Sequence, residues 1–274
     1  MLGTDLRVVL DGHDIPHTDV TRGDLDLTDE TAVTRAVAGH DVVVNCAGWT
    51  AVDDAETHEA EAYQANAVVP GLLARAVRAH GARLVQVSTD YVFDGHASAP
   101  YAENAALAPR SAYGRTKGAG EWAVRAEAPD HALVLRTAWL YGAHGSCFPR
   151  TIARVAREQG GLDVVDDQVG QPTWTRDVAE LMVRLVSAGV PAGTWHATAA
   201  GQASWWEFAR AVVSTAGLSA EIVRPTRSES FVRPAPRPSY SVLGHDRLVK
   251  SGVEPIGDWR ERWEEAGPSV LAAQ

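Results

Sequence analysis

The chain has 274 residues, 45% hydrophobic and 22% charged, the composition of a globular protein long enough to bury a full core as one large domain or as a domain with an added lobe. A formal net charge of −10 argues against general binding to nucleic acid or to an anionic membrane surface, although a local basic pocket would still admit a nucleotide. Two cysteines, Cys46 and Cys147, make no disulfide framework, and with no apolar run of membrane-spanning length and no signal peptide the sequence reads as cytoplasmic.

Met1 to Leu10 reads as the first turns of a helix. Asp14-Ile15-Pro16-His17 is a poor candidate strand, and Thr28 is placed to cap a helix that begins near Asp29. Asp41 to Cys46 predicts a strand, followed by helices over 59–65 and 68–80, with Asn66 at the junction as a candidate cap. Arg83-Leu84-Val85-Gln86-Val87 is short, branched and apolar, the pattern of a buried parallel strand. Ser88, Thr89 and Asp90 would then sit at its carboxyl end, where open α/β sheets bind their ligands.

His96 to Arg110, rich in Ala and Pro and containing Glu103, reads as a loop over a substrate mouth; a helix runs from Tyr113 through Glu127, and Ala132 to Arg136 is the next strand. From Ser146 the chain leaves the sheet. A helix over 148–159, a strand over 162–165, a turn over 170–173, a helix capped by Thr175 and a returning strand over 193–196 follow. Ser204 caps an amphipathic helix to Ala216 with Phe208, Ala209 and Val212 facing inward. Val232 to Pro238 reads as a rigid Pro-rich connector or, through Arg237 first and Arg233 second, as a clamp on a diphosphate, because the planar guanidinium bonds two oxygens at once. The tail past Trp263 is uninformative, and no repeat, metal-ligand cluster or Ser-His-Asp spacing is present.

Tyr113 and Lys117 are four apart and share one helix face. A phenol has an ordinary pKa near ~10, and an ammonium one turn away is expected to lower it. The phenol can then give a proton to a carbonyl oxygen as a hydride reaches the carbon, with the Thr89 hydroxyl holding the same oxygen. Tyr-x-x-x-Lys alone is a common accident on helices, and the Ser/Thr strand end upstream is what gives it weight.

Ser88-Thr89-Asp90-Tyr91-Val92-Phe93-Asp94-Gly95 followed by Tyr113-Gly114-Arg115-Thr116-Lys117 resembles the extended short-chain dehydrogenase/reductases, and within them the dTDP-4-dehydrorhamnose reductase family. The resemblance covers nearly the whole chain and is carried also by Asn45 to Asp53, Arg136 to Gly142, Asp166 to Thr173 and Arg237 to Ser241. It implies a Rossmann-like doubly wound parallel sheet with a smaller C-terminal lobe: a NAD(P)-binding domain over 1–145, rejoined by about 174–197, and a substrate lobe over 146–173 and 198–274.

It further implies NADPH or NADH as cofactor, with Gly3, Asp24, Leu25, Asn45, Ala47, Gly48, Ser88, Tyr113 and Lys117 toward it. Arg22 is either a partner for a 2′-phosphate or a solvated surface charge. Trp49, Val52, Asp53, Trp139, Gln171 and Arg237 face a dTDP-sugar, with plain core packing the competing reading for Trp49 and Trp139. Tyr113, Lys117, Thr89 and Asp90 form the catalytic set, Asp90 shaping the substrate site, and Asn66, where it is not only a helix cap, matches a family asparagine that steadies the active-site helix. The implied reaction reduces the C4 ketone of dTDP-4-dehydro-6-deoxy-L-mannose to dTDP-L-rhamnose; alternatives are a 4-ketoreductase for another deoxysugar and a non-catalytic nucleotide-binding regulator. A monomer or homodimer, without metal, is expected. In the family a strand and a G-x-x-G-x-x-G loop precede the first helix, and here Gly3 matches the third glycine while the rest is absent. The expectation is a start placed about ten residues late by comparison with the usual strand-plus-loop length, and the alternative is a cofactor-poor relative.

Overall fold

A computed structural model of the chain describes residues 1–273. Helix α1 (Leu2–Gly12) buries Leu2, Leu6 and Val9 along one stripe. Asp14 ends it in the left-handed region at φ 53, and the Ile15 amide reaches back to the Leu10 carbonyl at 2.9 Å. That closure turns the chain away, and Pro16 has no N–H to offer a ladder, so the strand expected over 14–17 does not form. Helix α2 (Glu30–Val37) is capped by Asp29, whose carboxylate accepts the amides of Thr31 and Ala32 at 2.9 and 3.0 Å. Thr28 does not cap it as expected: the first-turn amides go to Asp29, and the Thr28 hydroxyl donates to Asp26 at 2.7 Å.

The central sheet contains strands β1 (Val42–Asn45), β2 (Arg83–Thr89), β3 (Ala132–Thr137) and, later in the chain, β5 (Gly193–His196), in the order β1-β2-β3-β5 and all parallel. Alternation sends Leu84 and Val134 to one face, and Val85, Leu133 and Leu135 to the other. The first face is covered by α2, by α4 (Val69–His80) and by α5 (Ala112–Glu127); the second by α1 and α7 (Thr175–Ser187). Helices on both faces of a parallel sheet make this a Rossmann-like α/β fold.

The helix α3 (Glu59–Tyr63) does not break before α4. The two are joined by a single π turn, Gln64–Val68, which carries Asn66. Pro70 has no N–H for the Asn66 carbonyl four residues back, and the hydrogen-bond ladder widens there instead of ending. Asn66 is therefore inside a continuous helix and is not a cap.

Beyond the sheet lie α6 (Phe148–Gln159), the parallel pair β4 (Leu162–Val165) and β6 (Val223–Thr226), α8 (Trp205–Thr215), the short α9 (Asp246–Lys250) and α10 (Trp259–Ala272). Ser204 and Glu207 close a capping box on α8. Thr175 does not cap α7 by its side chain. Its hydroxyl instead donates to Asp5 and to the Tyr141 carbonyl, tying α1 to α7. Phe208, Trp259 and Trp263 are buried in the same hydrophobic cluster as the α1–α7 face of the sheet. Among the described residues no helix is long and apolar enough to cross a membrane.

Candidate active site

The carboxyl ends of β1 and β2 and the first turn of α5 meet at one place. Ser111 caps α5 by accepting the Gly114 amide at 3.1 Å, and the Ala112 amide donates to Glu56 at 2.8 Å. A Cβ on Gly114 would stand 2.2 Å from the Tyr91 carbonyl oxygen, so only glycine lets the helix start press against residues 90–92. The Tyr113 ring, half-buried, packs with Trp49 on Ala55, Ala62 and Ala112 and meets the Tyr91 ring edge-on at 5.6 Å.

Burial pushes the Tyr113 phenol up to about 12; the neighbouring Thr89 hydroxyl pulls the other way and the Asp90 charge adds to the rise. Thr89 Oγ1 donates to Asp90 Oδ1 at 2.9 Å. The Asp90 carboxyl is itself raised to about 6, by burial first, against the pull of the Ser241 and Thr89 hydroxyls. Lys117 is buried and donates from Nζ to the Val87 carbonyl at 2.6 Å. Burial lowers its pKa to about 8, with Glu121 and then the Cys46 thiol acting in the opposite direction. The expected lowering of the phenol by Lys117 is thus not what this geometry produces: the ammonium faces the strand, and Tyr113 stays protonated through the neutral range. That is the form a proton donor needs.

Asn45 is buried and holds the turn after β1: its amide donates to Gln86 Oε1 at 2.9 Å and its oxygen accepts the Ala47 amide at 3.0 Å. Gln86 in turn donates to the Val87 carbonyl at 3.0 Å, the same oxygen that receives Lys117. Cys46, Ala47 and Gly48 lie exposed beyond that turn. A Cβ on Gly48 would come within 2.9 Å of Asn66 Oδ1 and 3.9 Å of Lys117 Nζ, and one on Gly3 within 3.6 Å of Cys46 Cβ. The first turn of α1, a small-residue shelf and a lysine with two unused N–H donors therefore converge, which fits a ribose and a phosphate group. Asn66 braces this floor by accepting the Trp49 amide at 2.9 Å and donating to Thr116 at 3.1 Å.

Asp24 is exposed and accepts the amide and hydroxyl of Thr21; neither it nor half-buried Leu25 is hydrogen-bonded to the other candidates. Ser88 departs from the cofactor role expected of it. Its hydroxyl is buried and donates to Glu121 at 2.6 Å, on the side of β2 that faces α5.

On the substrate side, Asp53 and Arg237 pair at 2.8 Å, Asp53 also accepting the Ala235 amide at 3.2 Å. Both charges act on the phenol of Tyr91, the residue whose ring meets that of Tyr113 edge-on. Val52 is half-buried one residue earlier. Trp139 sits at the end of β3 with φ 45, a conformation that costs a non-glycine residue about 1–3 kcal/mol and marks sites where placement of the side chain matters. Its ring stacks on Trp205 at 3.5 Å, with Phe148 4.4 Å from Trp205.

Gln171 does not face a substrate as expected. It is buried, its amide donates to the Ala199 and Leu243 carbonyls at 2.9 and 3.2 Å, and its oxygen accepts the Leu243 amide at 2.8 Å. The loop containing Glu103 is laced to residues 242–247: Tyr101 N–H reaches the Val242 carbonyl at 2.9 Å and Glu103 accepts the Arg247 amide at 3.1 Å. Glu121 carries one signal in the sequence, that it repeats the four-residue step from Tyr113 to Lys117.

The chain matches the model of the RmlD substrate binding domain family over residues 1–270. It is 50% identical over 266 residues to the probable dTDP-4,6-dihydroxy-2-methyloxan-3-one 4-ketoreductase of Streptomyces antibioticus, covering 96% of this chain and 87% of that one. It is 46% identical to a dTDP-4-dehydrorhamnose reductase of Streptomyces griseus, covering 98% and 91%. A crystal structure of dTDP-4-dehydrorhamnose reductase from Bacillus anthracis in complex with NADP superposes with a TM-score of 0.92 at 34% identity, over 97% of this chain and 94% of that one.

Proposed function

The chain belongs to the RmlD substrate binding domain family, and on that footing we propose that it is a NAD(P)H-dependent reductase of the C4 ketone of a dTDP-6-deoxyhexose. The observation that carries the reading is the Tyr113 phenol beside the Thr89 hydroxyl at the carboxyl end of β2, with Lys117 one turn further along α5 and next to the exposed Cys46–Gly48 shelf. The reduced nicotinamide, when bound, supplies the hydride. Gly3, Ala47 and Gly48 provide the close backbone approach for it, Lys117 the hydrogen bonds to its ribose, and Asp24 with Leu25 the adenine side. Tyr113 gives its proton to the carbonyl oxygen, and the Thr89 hydroxyl turns its one proton from Asp90 to that oxygen for a second hydrogen bond. Trp139, with Trp205 behind it, and Val52 wall the sugar. The substrate sits between the sheet edge and the elements of 146–173 and 198–274.

The specific reaction we assign is formation of dTDP-L-rhamnose from dTDP-4-dehydro-6-deoxy-L-mannose. The name carried by the Streptomyces antibioticus relative favours a second reading, reduction of another dTDP-4-ketosugar. Incubating the purified protein with NADPH and dTDP-4-dehydro-6-deoxy-L-mannose, and reading the C4 configuration of the product by NMR, separates them. NADPH oxidation with equimolar dTDP-L-rhamnose is expected; turnover of other 4-ketosugars alone would leave the second reading.

Arg237 supplies the cation for the substrate diphosphate, held ready by Asp53. An Arg237→Met variant is expected to raise KM for the sugar nucleotide about 10- to 100-fold, the loss of a charge-assisted hydrogen bond, with kcat changed far less. Steady-state kinetics at saturating NADPH checks this, and an unchanged KM would remove Arg237 from the diphosphate site.

A further inference from the structure

Behind the site lies an ionic cluster, built on a buried carboxylate, that the proton transfer itself does not use. Glu121, one turn after Lys117 and 1% exposed, accepts Arg136 Nε at 2.9 Å and Nη2 at 2.8 Å, Arg125 Nη2 at 2.7 Å and Ser88 Oγ at 2.6 Å. Arg136 is itself 1% exposed, and its remaining donors go to the Glu103 carbonyl at 3.1 Å and toward His196. Burial and the Arg136 charge hold His196 down to about 3, so it is neutral, and its Nδ1 donates to the Gly244 carbonyl at 2.8 Å. One carboxylate thus faces two guanidinium groups and leaves the cluster with a surplus positive charge. Burying a carboxylate is expensive unless it is paired, and here it is bonded by four donors on three elements.

We propose that Glu121 is a positioning residue of the reduction: it is the counter-charge of Lys117 and the brace of the strand end that carries Thr89. The inference rests on the reading that Lys117 works as a cation beside Tyr113. The groups acting on the Lys117 ammonium are Glu121 from its own helix, the Val87 carbonyl from β2, and the Cys46 thiol from the turn after β1, with Tyr113 one turn back on the same helix face. Glu121 is the carboxylate among them. Without its charge the buried lysine would have no carboxylate partner, and the buried Arg136 and partly exposed Arg125 would lose theirs. Ser88, adjacent to Thr89, would also lose the acceptor that fixes it.

The test is the pH profile of kcat at saturating NADPH and sugar nucleotide for wild type, Glu121→Gln and Arg125→Gln. Activity requires the Lys117 ammonium, so it falls as pH rises through the lysine pKa. Glu121→Gln is expected to move that basic limb down by about one pH unit, and Arg125→Gln to move it up by less. Arg125 borders an open cavity of 680 Å³ between α5, α9 and the 102–107 loop, where water can replace it, so this variant should fold even if the first does not. A purely structural Glu121 would lower yield and melting temperature and leave the limb in place. A limb unmoved in Glu121→Gln, or unmoved in Arg125→Gln if the first variant fails to fold, overturns the proposal. A wild-type profile with no basic limb, or wild-type kcat in Lys117→Met, refutes the underlying role of Lys117 instead.

Discussion

Tyr113→Phe is expected to lower kcat about 10²- to 10⁴-fold, the contribution of a positioned general acid, while NADPH binding stays close to wild type. The substitution removes one oxygen and no packing. The ring still rests on Ala55, Ala62 and Ala112 and still meets the Tyr91 ring, so the variant should fold with unchanged melting behaviour. With the hydroxyl gone, the developing alkoxide keeps only the Thr89 hydrogen bond and no proton donor. Because burial raises the wild-type phenol to about 12, Tyr113 is protonated at every pH near neutral. Loss of activity on the basic side in the wild type should therefore track Lys117 and not Tyr113. Single-turnover NADPH oxidation separates chemistry from binding, and a phenylalanine variant with wild-type kcat would refute the assigned acid.

The second large effect is expected at Lys117. Lys117→Met keeps the length of the side chain, and the Val87 carbonyl keeps the Gln86 amide as a partner at 3.0 Å, so the floor of the site is not left with an orphaned oxygen. What disappears is the cation and its two unused donors beside Gly48. A drop in kcat of about 10²-fold is expected from loss of transition-state stabilisation, with a rise in the NADPH KM of about 10-fold for lost hydrogen bonds from a charged group. Steady-state titration of each substrate in turn measures both. Loss of NADPH affinity with kcat intact would confine Lys117 to binding.

Why some of this could be read from sequence and some could not is visible residue by residue. Buried parallel strands and amphipathic helices announce themselves by period, and the bounds expected for α6 and β4 are the ones observed. Residues 14–17 form no strand because a strand is a property of pairing, and a helix closure through Asp14 together with Pro16 removes the segment from the sheet. Thr28 and Asp29 are both cap residue types one position apart, and only the path of the chain into α2 decides that the amides of Thr31 and Ala32 meet Asp29. α10 carried no signal in the tail, since its Trp259 and Trp263 have meaning only against α8.

At the site, the motif located the right place on the sheet but not the direction of each side chain. Ser88 and Thr89 are neighbours on a strand and point to opposite sides, so one bonds Glu121 within the core and the other meets Tyr113. Gln171 lies in a motif of the family, yet what its amide bonds depends on residues 28 and 72 positions away. The role of Glu121 is hidden in the sequence because a glutamate on a helix reads as solvated until its partners, on two separate strands, are known.

The most direct test of the proposed reduction is isotopic. Purified protein is given NADPH deuterated at the transferable position, together with the dTDP-4-ketosugar, and the product is read by NMR and mass spectrometry. One deuterium at C4 of the sugar, in equal amount to the NADPH oxidised, is the expected result. Product without deuterium at C4, or no NADPH oxidation by protein shown to bind both ligands, would contradict it.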